Sequence, residues 1–286
     1  MRTLVVGDIH AKPQVLVEID AAASAVGAER IVCLGDYLDP VWPPFEDEHA
    51  NFDIFRRVVA WAERRGDVTL LLGNHEAGYL DAVRAAEEHP EYPEILTGPF
   101  EYAPAVREAI EGRRGLFAWA TAAEGWLLTH AGVTLAGAEA AGIAAGLDAA
   151  AVADAVDTAG WVTLRDDPLG CHGEPEDLIA DPYPVDQAVG HTAVETVRLF
   201  HAGVAPGSVA GAGDGGGLAA ASGDGSAQGV RLCFCDTMSM CDSEGKRTGD
   251  SSYLLLDGGE VCLVRHAQTF AIAARDTWTE PEWPGF

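Results

Sequence analysis

Apolar runs of four or five residues recur along the first third of the chain, at positions 3–6, 31–34 and 68–72. Between them the apolar positions return at helical spacing: Val15, Ile19, Ala22 and Val26 in one segment, then Phe52, Phe55, Val58, Val59 and Ala62 in the next, with Asn51 read as that helix's cap. A strand-helix-strand-helix-strand rhythm implies parallel strands joined by right-handed crossovers, so whatever follows each strand lies at one edge of the sheet. Residues 80–118 alternate between helical and irregular, and "HPEYPEILTGPF" is punctuated by proline. Residues 126–129 read as a buried strand, 134–160 as helix with Asp148 as a cap, and "DDPLGCHGEPED" as a loop. From about 185 onward the texture is β, with runs at 185–189, 194–200, 230–235, 252–256 and 260–264 and a hairpin signal, "DGG", between the last two. A Gly/Ala/Ser tract over 203–229 reads as a disordered surface loop.

The polar residues that follow the strands change this picture from a fold to a site. The first strand leads into "GDIH" with Asp8 and His10, the second into "GDYLD" with Asp36 and Asp39, the third into "GNHE" with Asn74, His75 and Glu76. "THAG" adds His130 and "GHT" adds His191. Carboxylate, imidazole and amide donors without thiolate suit Mn, Fe, Zn or Co. Six donors exceed one four-coordinate ion and invite a pair of ions about 3.5–4 Å apart sharing one carboxylate, a device suited to attack on phosphorus.

These motifs, in this order, resemble the calcineurin-like metallophosphoesterase superfamily, and the Glu of "GNHE" and the single His of "GHT" resemble its protein phosphatase and diadenosine-tetraphosphatase branch. "CDT" and "SYLLLDGGEVCLV" are similar to that branch's closing strands. The resemblance implies an α/β fold, a four-layer α-β-β-α sandwich of two mixed sheets with a dinuclear metal site at the strand carboxyl ends. It implies a single domain over 1–286, with cap-like insertions at about 77–125 and 133–184. Asp8 and His10 would bind the first metal, Asp36 would bridge, and Asn74, His130 and His191 would bind the second. His75 would be the general acid, oriented by Asp39, with Glu76 either supporting them or only opening its helix. A metal-bridging hydroxide would attack the phosphate ester. The two divalent ions would be Mn, Fe or Zn, with Mn taken first.

The chain departs from that pattern after Asp39, where Pro40 stands in place of the usual phosphate-clamping arginine; Arg165 in "WVTLRDD" is the candidate substitute. The substrate is therefore expected to be a phosphorylated small molecule, nucleotide or phosphopeptide. Three readings follow: a serine/threonine phosphatase-like enzyme, a hydrolase of dinucleoside polyphosphates or other nucleotides, or a catalytically silent metal-binding scaffold. Trp42, Tyr79, Tyr92, Phe100 and Tyr102 could stack on a base or pack beneath the loops.

Charge and cysteines narrow the setting. With 18 basic against 45 acidic residues and a net charge of -27, the surface repels polyanions, which argues against non-specific nucleic-acid binding. No run approaches the ~18 apolar residues of a membrane span. Cys33, Cys171, Cys233, Cys235, Cys241 and Cys262 show no metal-binding pair spacing, and Cys233 and Cys235 are read as facing opposite sides of a strand. A reducing, cytoplasmic compartment is expected.

Overall fold

The computed structural model describes residues 1–10, 12, 14–39, 48–162, 170, 173–202, 229–238, 249–272 and 274–275. Pro40, Trp42, Arg165, Cys171, Cys241 and residues 203–228 lie outside the described residues.

The alternating first part forms β1 (Arg2–Val6), α1 (Val15–Val26), β2 (Arg30–Cys33), α2 (Glu48–Arg65), β3 (Val68–Leu71) and α3 (Asn74–Glu88). Two short 3₁₀ turns, Pro93–Leu96 and Gly98–Phe100, lead to α4 (Ala103–Glu111), β4 (Phe117–Ala118), β5 (Ala120–Ala123) and β6 (Trp126–Thr129). Next come α5 (Leu135–Ala140), α6 (Ala149–Val162), α7 (Pro175–Ala180), β7 (Gln187–Ala193), β8 (Arg198–Ala202) and β9 (Val230–Asp236). The chain closes with β10 (Tyr253–Asp257), β11 (Glu260–Arg265), β12 (Gln268–Ala271) and β13 (Ala274–Arg275).

Two mixed sheets result, ordered β12-β11-β10-β1-β2-β3-β4 and β13-β8-β9-β7-β6-β5. The strands β1 to β4 run parallel to one another, as the crossover rhythm requires, while β10 joins β1 antiparallel. A turn at Gly258 and Gly259 joins β10 to β11 in the expected hairpin. Strand alternation divides the core. Leu4, Val6, Ile31, Cys33, Leu70 and Leu72 face Val15, Ile19, Phe55, Val58 and Ala62 of the helices. Val5, Val32, Leu34 and Leu71 turn the other way, against Leu128, Ala188, Leu199 and Cys233 of the second sheet. That sheet's outer face packs Leu127 on Val152 and Val156 of α6, and Val189, Phe200, Leu232 and Phe234 on Leu178 of α7. Helix, sheet, sheet and helix thus form four layers, and each fully buried aliphatic side chain contributes about 1.5–3 kcal/mol.

Several local expectations change. Asn51 is not a cap: it lies inside α2, buried, with its side chain turned inward. The strand expected at 194–200 begins at Arg198, because residues 194–197 follow a bulge in β7. Cys233 and Cys235, two apart on β9, share the face packed between the sheets, contrary to the expected opposite faces. Both are free thiols nonetheless, as are Cys33 and Cys262. Asp148 does cap α6, accepting from the Ala151 amide at 2.9 Å. Three of the named aromatic residues pack, the Tyr79 ring meeting Phe100 edge-on at 5.4 Å and Tyr102 stacking on Phe52 at 5.0 Å, whereas Tyr92 is exposed. No helix among the described residues is long and apolar enough to cross a membrane.

Candidate metal centre

The carboxyl ends of β1, β2, β3 and β6, together with the bulge in β7, meet at one rim and bring Asp8, His10, Asp36, Asp39, Asn74, His75, His130 and His191 together. The backbone there is bent into an unfavourable region: His10, Asp36, Asp39 and His191 have φ of 42, 50, 54 and 57°. Non-glycine residues held left-handed cluster where the surroundings over-determine them. Close approach fixes the flanking glycines. A Cβ on Gly73 would collide with the carboxylate of Asp36, and one on Gly190 with that of Asp8.

Glu76 is the main brace. Completely buried at the third position of α3, it accepts the amides of Asp36 (2.9 Å) and Gly73 (3.1 Å) on Oε2 and those of Tyr37 (2.9 Å) and Leu38 (3.2 Å) on Oε1. One carboxylate therefore pins the loops after β2 and β3 to each other. The same residue also serves as the acceptor at the helix start, so both readings of it hold. Burial and the charge of Asp36 push its carboxyl up to about 7, against the pull of those backbone donors.

Two histidines are held by carbonyls. The Nδ1 of His130 meets the Leu34 carbonyl at 2.9 Å, and that of His10 meets the Asp39 carbonyl at 2.8 Å. A carbonyl can only accept, so each Nδ1 carries a proton and each Nε2 is the nitrogen turned to the cluster. The His130 Nε2 then sits 2.8 Å from Asn74 Oδ1 and 3.2 Å from His191 Nδ1, and these last two lie 2.9 Å apart. The same His130 Nε2 is 3.5 Å from Asp36 Oδ2, while His10 Nε2 is 3.6 Å from that oxygen and 3.7 Å from Asp8 Oδ2. Carboxylate, imidazole and amide atoms thus gather at close range in a buried, acidic site. The donor set therefore fits two divalent ions: Asp8, His10 and Asp36 on one side, Asp36, Asn74, His130 and His191 on the other. Asp36 Oδ2 is the oxygen common to both, and His/Asp groups able to hold a metal are His10, Asp36 and His75, and Asp36, His130 and His191.

The electrostatics match an acidic, half-neutralised cluster. Burial, then the neighbouring carboxylate of Asp236, hold the Asp8 carboxyl well above its usual range. For Asp36 burial acts in the same sense, but His130, His10 and His75 outweigh it and its carboxyl lies below the usual value. His191 donates its amide to both oxygens of Asp8, at 3.1 and 3.0 Å, which locks the bulge onto the loop after β1.

His75 differs from the other histidines. Its Nδ1 meets Asp39 Oδ2 at 2.8 Å, its Nε2 lies 3.7 Å from Asp36 Oδ2, and its side chain is 31% exposed. Burial lowers its proton affinity, but the Asp39 hydrogen bond and the charges of Asp36 and Asp39 more than offset this and raise its pKa to about 9. Asp39 is in turn held by Asn51 and Tyr79, which the sequence pattern marked only as a helix cap and as a stacking or packing aromatic. Asp236, buried beside Asp8 and accepting from the Met238 amide at 3.2 Å, was likewise not singled out; its only sequence signal is its place at the end of a strand.

No curated protein matches the chain. It is similar to one solved structure whose own description, a diadenosine tetraphosphatase, is provisional: 16% identity, 92% of this chain and 93% of that one covered, TM-score 0.40. A likeness at that score carries no argument here. The family pattern of calcineurin-like phosphoesterases, by contrast, matches residues 1–204, the stretch that contributes every residue of the rim from Asp8 to His191. Site and pattern coincide, and the chain belongs to the calcineurin-like phosphoesterase family.

Proposed function

We propose that the chain is a metal-dependent phosphoesterase of the serine/threonine phosphatase-like type, acting as one catalytic domain. The observation that carries this reading is the convergence of the side chains of His10, Asn74, His130 and His191 around the Asp36 carboxylate, with the His75 and Asp39 pair beside it. Asp8 and His10 would hold one cation, Asn74, His130 and His191 the other, and Asp36 would contribute to both. Two bound divalent ions, manganese foremost, would supply charge stabilisation for a phosphoryl group and a water of lowered pKa.

The remaining work falls to the chain's own side chains. His75 donates its Nδ1 proton to Asp39, and in the metal-free chain that bond and the neighbouring carboxylates raise its pKa to about 9, which favours a second proton on Nε2. The Nε2 proton faces the side of Asp36 and is the one available to a departing alkoxide or phenoxide. Asp39 keeps the ring in one orientation and stabilises its charged form while the proton waits. Free thiols at Cys33, Cys233, Cys235 and Cys262 support a reducing, cytoplasmic setting.

A second reading, hydrolysis of dinucleoside polyphosphates or other nucleotides, is favoured by Pro40, which stands where phosphatases of this branch clamp phosphate with arginine. The manganese-loaded protein tested on a phosphopeptide, diadenosine tetraphosphate and bis-aryl phosphate separates the two. Preference for the phosphopeptide supports the first reading and preference for the dinucleotide the second. Absence of turnover with every substrate and with Mn, Fe, Zn and Co alike would leave a silent metal-binding scaffold.

A further inference from the structure

Asp39 carries more hydrogen bonds than orienting one imidazole requires, and they come from two helices. Its amide donates to Asn51 Oδ1 at 2.9 Å. Its Oδ1 accepts from Asn51 Nδ2 at 2.6 Å and from the Tyr79 hydroxyl at 3.0 Å, and Asn51 Nδ2 also reaches the Tyr79 oxygen at 3.1 Å. Only Oδ2 is left for His75. Asn51, from α2, is 6% exposed and Tyr79, from α3, is 3% exposed, so water has little access to replace either bond.

A carboxylate with one free oxygen can rotate about its terminal torsion, which is soft and roughly two-fold. The triangle of Asn51, Tyr79 and Asp39 removes that freedom. With Oδ1 committed on two sides and the backbone amide on a third, Oδ2 has one position, and the imidazole that bonds it has one direction. Tyr79 is itself held edge-on by Phe100, so the triangle is anchored in the packing rather than in a loop.

We propose that Asn51 and Tyr79 are positioning residues that set the aim of His75 through Asp39; the inference rests on His75 being the proton donor of the phosphoesterase read above. Neither residue touches the reacting atoms. Their effect is on how well the Nε2 proton meets a leaving oxygen, and it therefore scales with how much the leaving group needs that proton.

The test uses Tyr79→Phe, which deletes a single oxygen, and Asn51→Ala in the full-length, manganese-loaded protein. Phenyl phosphate, with a basic leaving group, is compared with p-nitrophenyl phosphate, whose leaving group departs without much help. The expected result is a kcat loss about tenfold larger for phenyl phosphate than for the nitrophenyl ester, with KM and metal content at the wild-type level. In a His75→Ala background Tyr79→Phe should add no further loss, since the two act through one proton. Equal losses on both esters, or none on either, overturn the proposal. If Asn51→Ala does not fold, Tyr79→Phe alone decides. If the wild type turns over neither ester, the phosphoesterase reading fails by itself, and nitrogen NMR of the His75 ring in the zinc-loaded protein, recorded at a pH where the ring is neutral, judges the positioning: a single Nδ1–H tautomer in the wild type and a mixture in Tyr79→Phe support it, and an unchanged tautomer sinks it.

Discussion

His130 and His75 stand at opposite ends of the same cluster, and the partners behind their rings differ in kind. His130, fully buried, leans on the Leu34 carbonyl and turns its Nε2 toward Asn74, His191 and Asp36. His75, partly exposed, leans on the Asp39 carboxylate and holds its proton up to a pKa of about 9. The ring with a carbonyl behind it faces the inner cluster, and the ring with a carboxylate behind it holds its proton more tightly. The inner end gathers His/Asp groups that could hold a metal, whereas at the outer end Asp39 is held by Asn51 and Tyr79.

The largest blow to that contrast is one that strikes both ends. Asp36 lies 3.5 Å from the His130 Nε2 and 3.7 Å from the His75 Nε2, so Asp36→Asn is expected to drop metal content from two ions per chain to fewer than one and ester turnover by roughly 10³. Metal analysis with an aryl phosphate assay checks it. Next, His75→Ala should keep both ions while turnover falls by about 10²–10⁴, the range of general acid catalysis, whereas His130→Ala should lose an ion. Turnover unaffected by His75→Ala would remove the acid from the outer end.

Glu76→Gln sharpens the comparison by loosening the brace that both ends share. A glutamine amide accepts on one oxygen only, so two of four buried amides lose their acceptor, at about 1–3 kcal/mol each. Chemical denaturation should show a stability loss of about 2–4 kcal/mol. The smallest effect is on pH dependence. His75 binds its proton more tightly folded, pKa about 9, than unfolded, near 6.5, so its contribution to stability is full below about pH 6.5 and is lost as pH rises through 9. Glu76, raised to about 7, acts in the same sense over the lower window from about 4.5 to 7. Metal-free protein should thus unfold more readily as pH climbs, by about 1–3 kcal/mol between pH 6.5 and 9, and His75→Ala should flatten that stretch of the curve.

The strand-helix rhythm and the ligand residues were legible because both are local: a short apolar run fixes a strand, and Gly-Asp or Gly-Asn-His follows within two or three positions. What escaped the pattern depends on partners far apart in the chain. Asn51 looks like a cap when only its neighbours are considered, yet its partners are Asp39 and Tyr79, 12 and 28 positions away. Glu76 reaches back 40 positions to Asp36, and no periodicity announces a carboxylate that collects four amides. The crossing from one sheet to the other between β4 and β5 takes a single residue, Trp119, which hydropathy alone does not mark as a corner. The bulge that bends His191 into the site is likewise a matter of register with β9, not of composition.

The bond from the His191 amide to Asp8 spans 183 positions. Its two ends belong to different sheets, so neither the first ligand loop nor the last is shaped until both sheets have formed and packed together. A chain that has completed only its first half can display Asp8, His10 and Asp36 but not the chelate. Any cation the rim holds would therefore be captured tightly only by molecules that have finished folding, and would in turn favour the state in which both sheets are packed together.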